Sequence, residues 1–311
     1  MSGVQKKSSG WILALAAWAA RSLPGWAKRA IYKIRPLARL VRGELNRAAP
    51  VGLSIVTVAA GELSGIKLSL DMQTEKDYWL GTYEPELQAA LHELVQPGMA
   101  AYDVGANIGY ISLMLAKLTG EQGQVFAFEA LPDNVRRLRN NLDLNSVGER
   151  VAVVPGAVVD KAGTVSFLVG PSGGMGKAAG SAGRQDIAYS QTIDVVGLSL
   201  DEFVYQQGNL PPQLVKIDIE GGEVLALPGM RRILNEFHPF ILMELHGPQA
   251  ALAAWEILHA ADYRICQMQP GFPLVSSLDD LDWKAYLVAL PKVIPVPADP
   301  IRSDHGRGRR E

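Results

Sequence analysis

The stretch Asp103-Val104-Gly105-Ala106-Asn107-Ile108-Gly109 decides the fold, because it lies between a strand pattern and a helical pattern. Residues 100–104 form a short apolar run, and residues 108–118 carry apolar side chains at helical spacing. In an open parallel sheet, ligands bind outside the carboxyl ends of the strands. Glycine at such an end lets the backbone turn tightly and approach a ligand closely. The stretch therefore predicts a strand, a ligand-binding turn and a helix, in that order.

Strand and helix patterns alternate from about residue 85 onward. Strands are predicted at 100–104, 124–129, 151–154, 214–219, 240–245, 264–268 and 285–290, and helices at 86–95, 108–118, 132–144, 223–235 and 249–260. This alternation indicates an α/β protein with a mostly parallel sheet that helices cover on both faces. An extra strand at 164–169 and a flexible, glycine-rich loop at 170–183 interrupt the rhythm. Two more strands, at 53–58 and 66–70, are predicted before the alternating part of the chain begins.

The net charge of −2 conceals two parts of opposite sign. Residues 1–50 carry ten Lys or Arg residues and one acid, Glu44, whereas residues 51–311 carry 20 basic and 31 acidic residues. An acidic body argues against a nucleic-acid partner. The single cysteine, Cys266, excludes an intramolecular disulfide and a cysteine-based zinc site.

Three interpretations are open for the basic N-terminal part. The apolar run 11–20 is too short to cross a bilayer as a helix, but it fits a signal peptide. Alternatively, residues 11–45 form a peripheral membrane anchor, in which a basic amphipathic helix after Pro24 lies on anionic lipid and bends at Pro36. The apolar side of that helix would carry Ile31, Ile34, Ala38, Val41 and Leu45. The third interpretation is a solvated extension or a helix packed on its own domain.

The end of the second predicted strand, at Glu129, indicates the kind of ligand. An acid in that place can accept hydrogen bonds from both hydroxyls of a ribose. The glycine spacing is G-x-x-x-G, whereas a dinucleotide site requires G-x-G-x-x-G, and the chain has no P-loop motif. Asp103 would repel a phosphate but attract a cation. These residues predict S-adenosylmethionine (SAM), an adenosine derivative with positive charge and no phosphate.

Several stretches, in the same order, resemble the FkbM-type family of SAM-dependent methyltransferases. The resemblance covers about residues 81–268 and is carried by residues 81–84 (G-T-Y-E), 103–112, 126–132, 141–145, 200–201, 215–223 and 239–246. The run V-K-I-D-I-E-G-G-E at 215–223 is the most diagnostic. The chain departs from the family at Ala130, where a proline usually follows the glutamate.

The resemblance implies a class I (Rossmann-like) methyltransferase fold with seven strands, one of them antiparallel and predicted at 285–290. It also implies methylation of a hydroxyl on a sugar, glycan, lipid-linked or natural-product acceptor. By the same resemblance, Glu129 holds the ribose of SAM, Ala157 lies near the adenine, and the first turn lines the methionine and ribose part. The residues of that turn are Asp103, Gly105, Ala106, Asn107 and Gly109.

Candidate catalytic residues follow from the alternation of strand faces near the carboxyl edge. Lys216 and Asp218 share one face of their strand, and Glu244 and His246 share a face of the next. Lys216 is expected to pair with Glu244, because an unpaired buried lysine would be costly. His246 is the first candidate for the base that takes the acceptor proton, since its charge changes near neutral pH, and Asp218 is the second. No metal site is assigned.

The sequence thus predicts four parts: a basic extension at 1–50, a β-rich segment at 51–80, the methyltransferase domain at 81–294 and a disordered tail at 295–311. Because SAM is a cytosolic cofactor, the expected location is the cytoplasm, at the inner face of a membrane if the extension binds lipid. Two alternatives stay open: a binding or scaffold protein that keeps the fold without turnover, and a methyltransferase that acts on nitrogen. The glycine spacing disfavours a nicotinamide dehydrogenase.

Overall fold

Thirteen strands lie in the described part of the computed structural model, which comprises residues 10–23, 34–171 and 174–292. In chain order they are β1 (Leu53–Thr57), β2 (Lys67–Asp71), β3 (Ala100–Val104), β4 (Gln124–Glu129), β5 (Val151–Pro155), β6 (Ala157–Val158), β7 (Gly163–Val169), β8 (Lys177–Ala178), β9 (Gln191–Leu198), β10 (Leu214–Ile217), β11 (Phe240–His246), β12 (Tyr263–Gln267) and β13 (Lys284–Pro291). Seven form one sheet in the order β12-β13-β11-β10-β3-β4-β5. In this sheet β13 runs antiparallel to its neighbours β11 and β12, which confirms the predicted class I fold.

The described α-helices include those predicted at 86–95, 108–118, 132–144 and 249–260, whereas the short helices at 76–80 and 200–205 were not predicted. In chain order the described helices are α1 (Gly10–Ser22), α2 (Arg35–Ala48), α3 (Lys76–Leu80), α4 (Pro85–Leu94), α5 (Tyr110–Thr119), α6 (Pro132–Asp143), α7 (Leu200–Tyr205), α8 (Glu223–Ala226), α9 (Arg231–Glu236) and α10 (Pro248–Ala260). The single helix predicted at 223–235 is wrong, because a 3₁₀ turn at Leu227–Met230 separates α8 from α9. Pro228 lies in that turn and has no backbone N–H to continue an α-helix.

The two faces of the large sheet pack against different helices. On β3, Ala101 belongs to the core that includes Leu115 of α5, and the next residue, Tyr102, belongs to the core that includes Phe203 of α7. All five residues of β3 are buried, as expected for a central parallel strand that is covered on both sides.

The order of the strands places a crevice at the carboxyl ends of β3 and β10. These two strands are neighbours and parallel. From β3 the chain continues to β4 on one side, and from β10 it continues to β11 on the other side. Such a reversal of strand order is where open α/β sheets bind ligands.

A second sheet, in the order β6-β9-β7-β8, lies next to this crevice. Its strand β7 confirms the extra strand predicted at 164–169, whereas β9 was not predicted, although its side chains alternate between exposed and half-buried positions. The flexible loop predicted at 170–183 is wrong in part. Residues 177–178 form β8, and the N–H of Gly183 donates to the His246 carbonyl at 3.0 Å. The end of this segment is therefore fixed against β11.

The N-terminal part contains the two predicted strands, since β1 and β2 form an antiparallel hairpin. Helix α2 buries Leu45 and Ala48, so the C-terminal half of its apolar side packs on the protein and does not face lipid. The helical start after Pro24 and the disordered tail predicted at 295–311 lie outside the described residues. Within the described residues, no helix is both long enough and apolar enough to cross a membrane.

Candidate active site

A cavity of about 350 Å³ opens at the carboxyl ends of the central strands. This volume suits a nucleoside-sized ligand. One end is lined by Gly105, Ala106, Asn107, Glu129 and Ala157, all predicted to bind SAM. The other end is lined by Tyr78, Tyr83, Glu84, Asp218, Glu220, Glu244 and Lys284. The cavity therefore joins the predicted cofactor residues to a second, strongly acidic region.

The turn after β3 leaves no room for side chains at its first glycine. Gly105 has a φ of +80°, and a Cβ atom there would lie 1.9 Å from the carbonyl oxygen of Asp218. Asn107 also has a positive φ, +49°, which asparagine tolerates better than most residues. The cofactor turn and the end of β10 are thus in direct backbone contact.

Glu129 holds this turn from the neighbouring strand. Its Oε2 accepts the N–H of Asn107 and its Oε1 accepts the N–H of Leu131, both at 2.8 Å, and the side chain of Asn134 donates to Oε1 at 3.3 Å. Burial raises the pKa of Glu129, and these hydrogen bonds oppose that shift. A carboxylate offers about four acceptor sites, so one remains for a ligand hydroxyl. The glycine turn and this acceptor fit the adenosine part of SAM.

Two residues of the predicted cofactor turn lie behind the cavity and do not line it. Gly109 faces α6, where a Cβ atom would lie 2.4 Å from Cδ1 of Leu138. Asp103 is fully buried, and its carboxylate accepts a hydrogen bond from Ser112 at 2.6 Å and pairs with Lys216 at 3.1 Å. The prediction that Asp103 and Gly109 contact the cofactor does not fit this placement; both support the turn from behind.

Lys216 pairs with Asp103, so the expected pair with Glu244 is wrong. Its Nζ also donates to the carbonyl of Gly105 at 2.9 Å. Burial lowers the pKa of Lys216, but the Asp103 carboxylate more than compensates and holds the pKa above its ordinary value. Lys216 is therefore a buried cation that ties the first turn to β10.

His246 does not fit the role of general base predicted for it. The side chain is 2% exposed and does not line the cavity. Its Nε2 lies 2.8 Å from Oε1 of Glu244, and its Nδ1 lies 3.6 Å from Oε1 of Glu223. Burial disfavours the charged ring, but these carboxylates outweigh burial and raise the pKa of His246 to about 10. At neutral pH the ring is already protonated and cannot take a proton from an acceptor.

The protonated His246 makes a testable contribution to stability. Its pKa rises from 6.5 to about 10 on folding, so this stabilisation is fully present below pH 6.5 and is lost as the pH rises through about 10. We expect the free energy of unfolding, measured with urea at several pH values, to fall across this window. His246→Gln should flatten the slope, whereas His259→Gln, at an exposed position, should not. Equal slopes in both variants would contradict the assignment.

Asp218 has the properties that His246 lacks. It is half-buried, lines the cavity and directly follows β10. Burial raises the pKa of Asp218 to about 7; Lys216 opposes the shift, and the charges of Glu244 and Glu84 add to it. A substantial fraction of this carboxylate is ionised at neutral pH, and it can accept a proton near that pH.

The residues that line the acidic end of the cavity could not be assigned a role from the sequence. Tyr78 and Tyr83 line it with ring centroids 4.4 Å apart. Glu84 has a φ of +41°, a strained value for a residue with a side chain, and such strain often marks functional sites. The G-T-Y-E motif at 81–84, which contains Tyr83 and Glu84, is the sequence signal for this region.

Three side chains in this region offer metal-ligand atoms. In the described part of the chain, ligand atoms of Asp218, Glu244 and His246 lie within 4.8 Å of one another. However, Glu244 already pairs with two cations, His246 and Lys284. Ligation by His246 would also require its ring to lose the proton that the neighbouring carboxylates favour, so we assign no metal here.

Comparison with known proteins agrees with this geometry. Residues 103–265 match the methyltransferase FkbM domain. The chain belongs to the FkbM methyltransferase family. Membership makes it a SAM-dependent methyltransferase, in line with the cofactor predicted from the sequence.

Among the relatives of this FkbM-family protein is the hexuronic acid methyltransferase AglP of Haloferax volcanii. The two are 27% identical over 198 residues, which cover 60% of this chain and 73% of AglP. A solved structure, methyltransferase FkbM from Methylobacillus flagellatus KT, aligns with 20% identity and a TM-score of 0.41 over 72% of this chain and 56% of that chain. Aeropyrum pernix fibrillarin with bound SAM aligns with 12% identity and a TM-score of 0.38, over 63% and 68% of the two chains.

Proposed function

We propose that the protein transfers the methyl group of SAM to a hydroxyl group of a sugar or glycan acceptor, with Asp218 as the general base. The observation that carries this proposal is the position of Asp218. Its carboxylate lines the cavity next to the cofactor turn and has a pKa of about 7. A base with a pKa near the working pH is the most efficient proton acceptor.

The first turn and the end of β4 hold the cofactor in this proposal. Glu129 accepts a ribose hydroxyl, and Gly105, Ala106 and Asn107 let the backbone approach the ligand. Ala157 lines the same end of the cavity, where the adenine would lie. When bound, SAM supplies a methyl group on a positively charged sulfur, and the acidic cavity suits that charge.

The acidic end of the cavity receives the acceptor. The acceptor hydroxyl hydrogen-bonds to Asp218, which takes its proton as the oxygen becomes the nucleophile. The faces of Tyr78 and Tyr83 suit the apolar C–H surface of a sugar ring, while Glu84 and Glu244 can accept hydrogen bonds from its other hydroxyls. The name of the relative AglP, which acts on a hexuronic acid, also supports a sugar acceptor.

His246 acts on this site only through its neighbours. As a buried cation, it holds Glu244, which lines the cavity, and Glu223, which does not, in place. Lys284 pairs with Glu244 from the cavity side. Removal of His246 would leave the buried Glu223 without this charge partner and Glu244 with Lys284 alone, which is costly.

The test is a transfer assay with SAM labelled on its methyl group. The acceptors are a neutral hexoside, the matching uronic acid and the matching amino sugar, and mass spectrometry and NMR locate the label. We expect the label on a hydroxyl oxygen. A label on nitrogen would favour the N-methyltransferase alternative. SAM binding by calorimetry without transfer to a hydroxyl in these acceptors or in a native glycan extract would favour the scaffold alternative.

A further inference from the structure

Helix α1 exposes three large apolar side chains on one face. Trp11, Leu15 and Trp18 are 62%, 54% and 55% exposed. Their spacings of four and three residues put them on the same side of the helix. The other side is already used, since Leu13, Ala16, Ala17 and Ala20 pack against the protein core. The exposed face is therefore not the one that holds α1 on the domain.

Exposed apolar side chains are concentrated in this part of the chain. In the described residues, eight of the thirteen large exposed hydrophobic side chains lie between positions 11 and 55. They include Leu40 on α2, 64% exposed, and Leu53 and Ile55 on β1, 58% and 63% exposed. Large clusters of exposed apolar side chains mark interaction surfaces, whereas scattered ones do not.

These elements belong to one connected unit. Helix α1 contacts α2 and α3. The side-chain amide of Gln73 donates to the carbonyls of Asn46 and Ala49 at 3.1 Å, which fixes the end of α2 to the turn after β2. The exposed residues of α1, α2 and β1 are thus carried by elements that are fixed to each other.

The charge around this unit identifies the partner. Arg21 at the end of α1 and Arg39 on α2 are exposed, and residues 1–50 contain ten basic residues against one acid. The rest of the chain is acidic. A second copy would bring two basic surfaces together, which is unfavourable. Tryptophan and arginine together suit the headgroup region of an anionic bilayer.

We propose that Trp11, Leu15 and Trp18, with Arg21 and Arg39, form a peripheral docking surface for an anionic lipid bilayer. Helix α1 lies in the plane of the interface, because its 13 residues extend only about 20 Å. The lipid-facing helix is therefore α1, and α2 contributes Arg39 beside it. The acidic catalytic domain is repelled by the same bilayer and points away from it. This proposal does not depend on the acceptor.

The experiment is sedimentation of the full chain with vesicles of phosphatidylcholine, with and without phosphatidylglycerol. We expect binding only when phosphatidylglycerol is present. The triple variant Trp11→Ser, Leu15→Ser, Trp18→Ser should lose roughly 100-fold in vesicle partitioning. Arg21→Glu with Arg39→Glu should weaken binding and reduce its salt dependence. Leu252→Ser on α10, at a leucine 46% exposed, is the matched control and should bind like the wild type.

Three results would overturn the proposal. The first is wild-type chain that stays in the supernatant with anionic vesicles. The second is a triple variant that sediments as the wild type does while its thermal unfolding is unchanged. The third is concentration-dependent dimerisation, by ultracentrifugation, that the triple variant abolishes while vesicle binding persists, because the surface would then bind a second copy.

Discussion

Asp218→Asn is expected to lower kcat by a factor of about 10²–10⁴ while SAM still binds with unchanged affinity. The asparagine keeps the shape of the side chain and the backbone contact with Gly105, but it cannot take a proton. In the wild type, kcat should increase as the pH rises, with an apparent pKa of about 7. This is the value to which burial raises the pKa of Asp218. That rise should be absent from the residual activity of the variant.

The measurement is single-turnover methyl transfer over a range of pH, with SAM affinity from calorimetry. Asp133→Asn is the matched control, because this aspartate has an 82% exposed side chain at the start of α6. We expect the control to retain wild-type kcat. If Asp218→Asn also retained wild-type kcat, the proton would leave by another route and Asp218 would not be the base.

Glu129→Gln is expected to weaken SAM binding about 10- to 100-fold, since hydrogen bonds to a charged group contribute about 1.5–3 kcal/mol each. In the wild type, the two carboxylate oxygens accept the N–H groups of Asn107 and Leu131. A glutamine must place its NH₂ group against one of these two donors, so one backbone N–H loses its partner. The turn would also lose the charge that favours ribose hydroxyls.

Calorimetry with SAM measures this loss, and thermal unfolding shows whether the fold is retained. Glu121→Gln is the matched control, since Glu121 is exposed in the loop before β4. The same affinity for SAM in both variants would show that Glu129 does not hold the ribose.

The features that depend on residues close together in the chain could be predicted from the sequence alone. The end of β3, the glycine turn and Glu129 could be predicted because strand, turn and acid follow each other at fixed spacing. Gly105 and Asn107 have the positive φ values that such a turn requires. Glycine and asparagine are the residues that adopt those values most easily.

The partner of Lys216 could not be predicted, because it depends on the register between strands. Lys216 lies opposite Asp103 on β3 and opposite Leu242 on β11. Glu244 is two residues further along β11, about 7 Å away along the strand. The alternation of strand faces allows Lys216 to pair with either Asp103 or Glu244. The register between the strands places Asp103 next to it.

The protonation state of His246 could not be predicted from the sequence, for a related reason. The residue type predicts a group that titrates near neutral pH. The raised pKa of His246 needs Glu223 from α8 beside Glu244 from the same strand as the histidine. These contacts join parts of the chain whose spacing in sequence carries no information about their distance.

The contact between Gly105 and Asp218 limits how such an enzyme can change its acceptor. Because not even one methyl group fits between them, a side chain at position 105 would displace the backbone that carries the base, so the cofactor turn and the base cannot be remodelled separately. Tyr78 and Lys284, which line the acceptor end outside this contact and outside the stretches that carry the family resemblance, are free of that restriction. Divergence among related enzymes, and any laboratory redesign of specificity, should therefore accumulate at such positions while residues 103–109 and 216–218 stay constant.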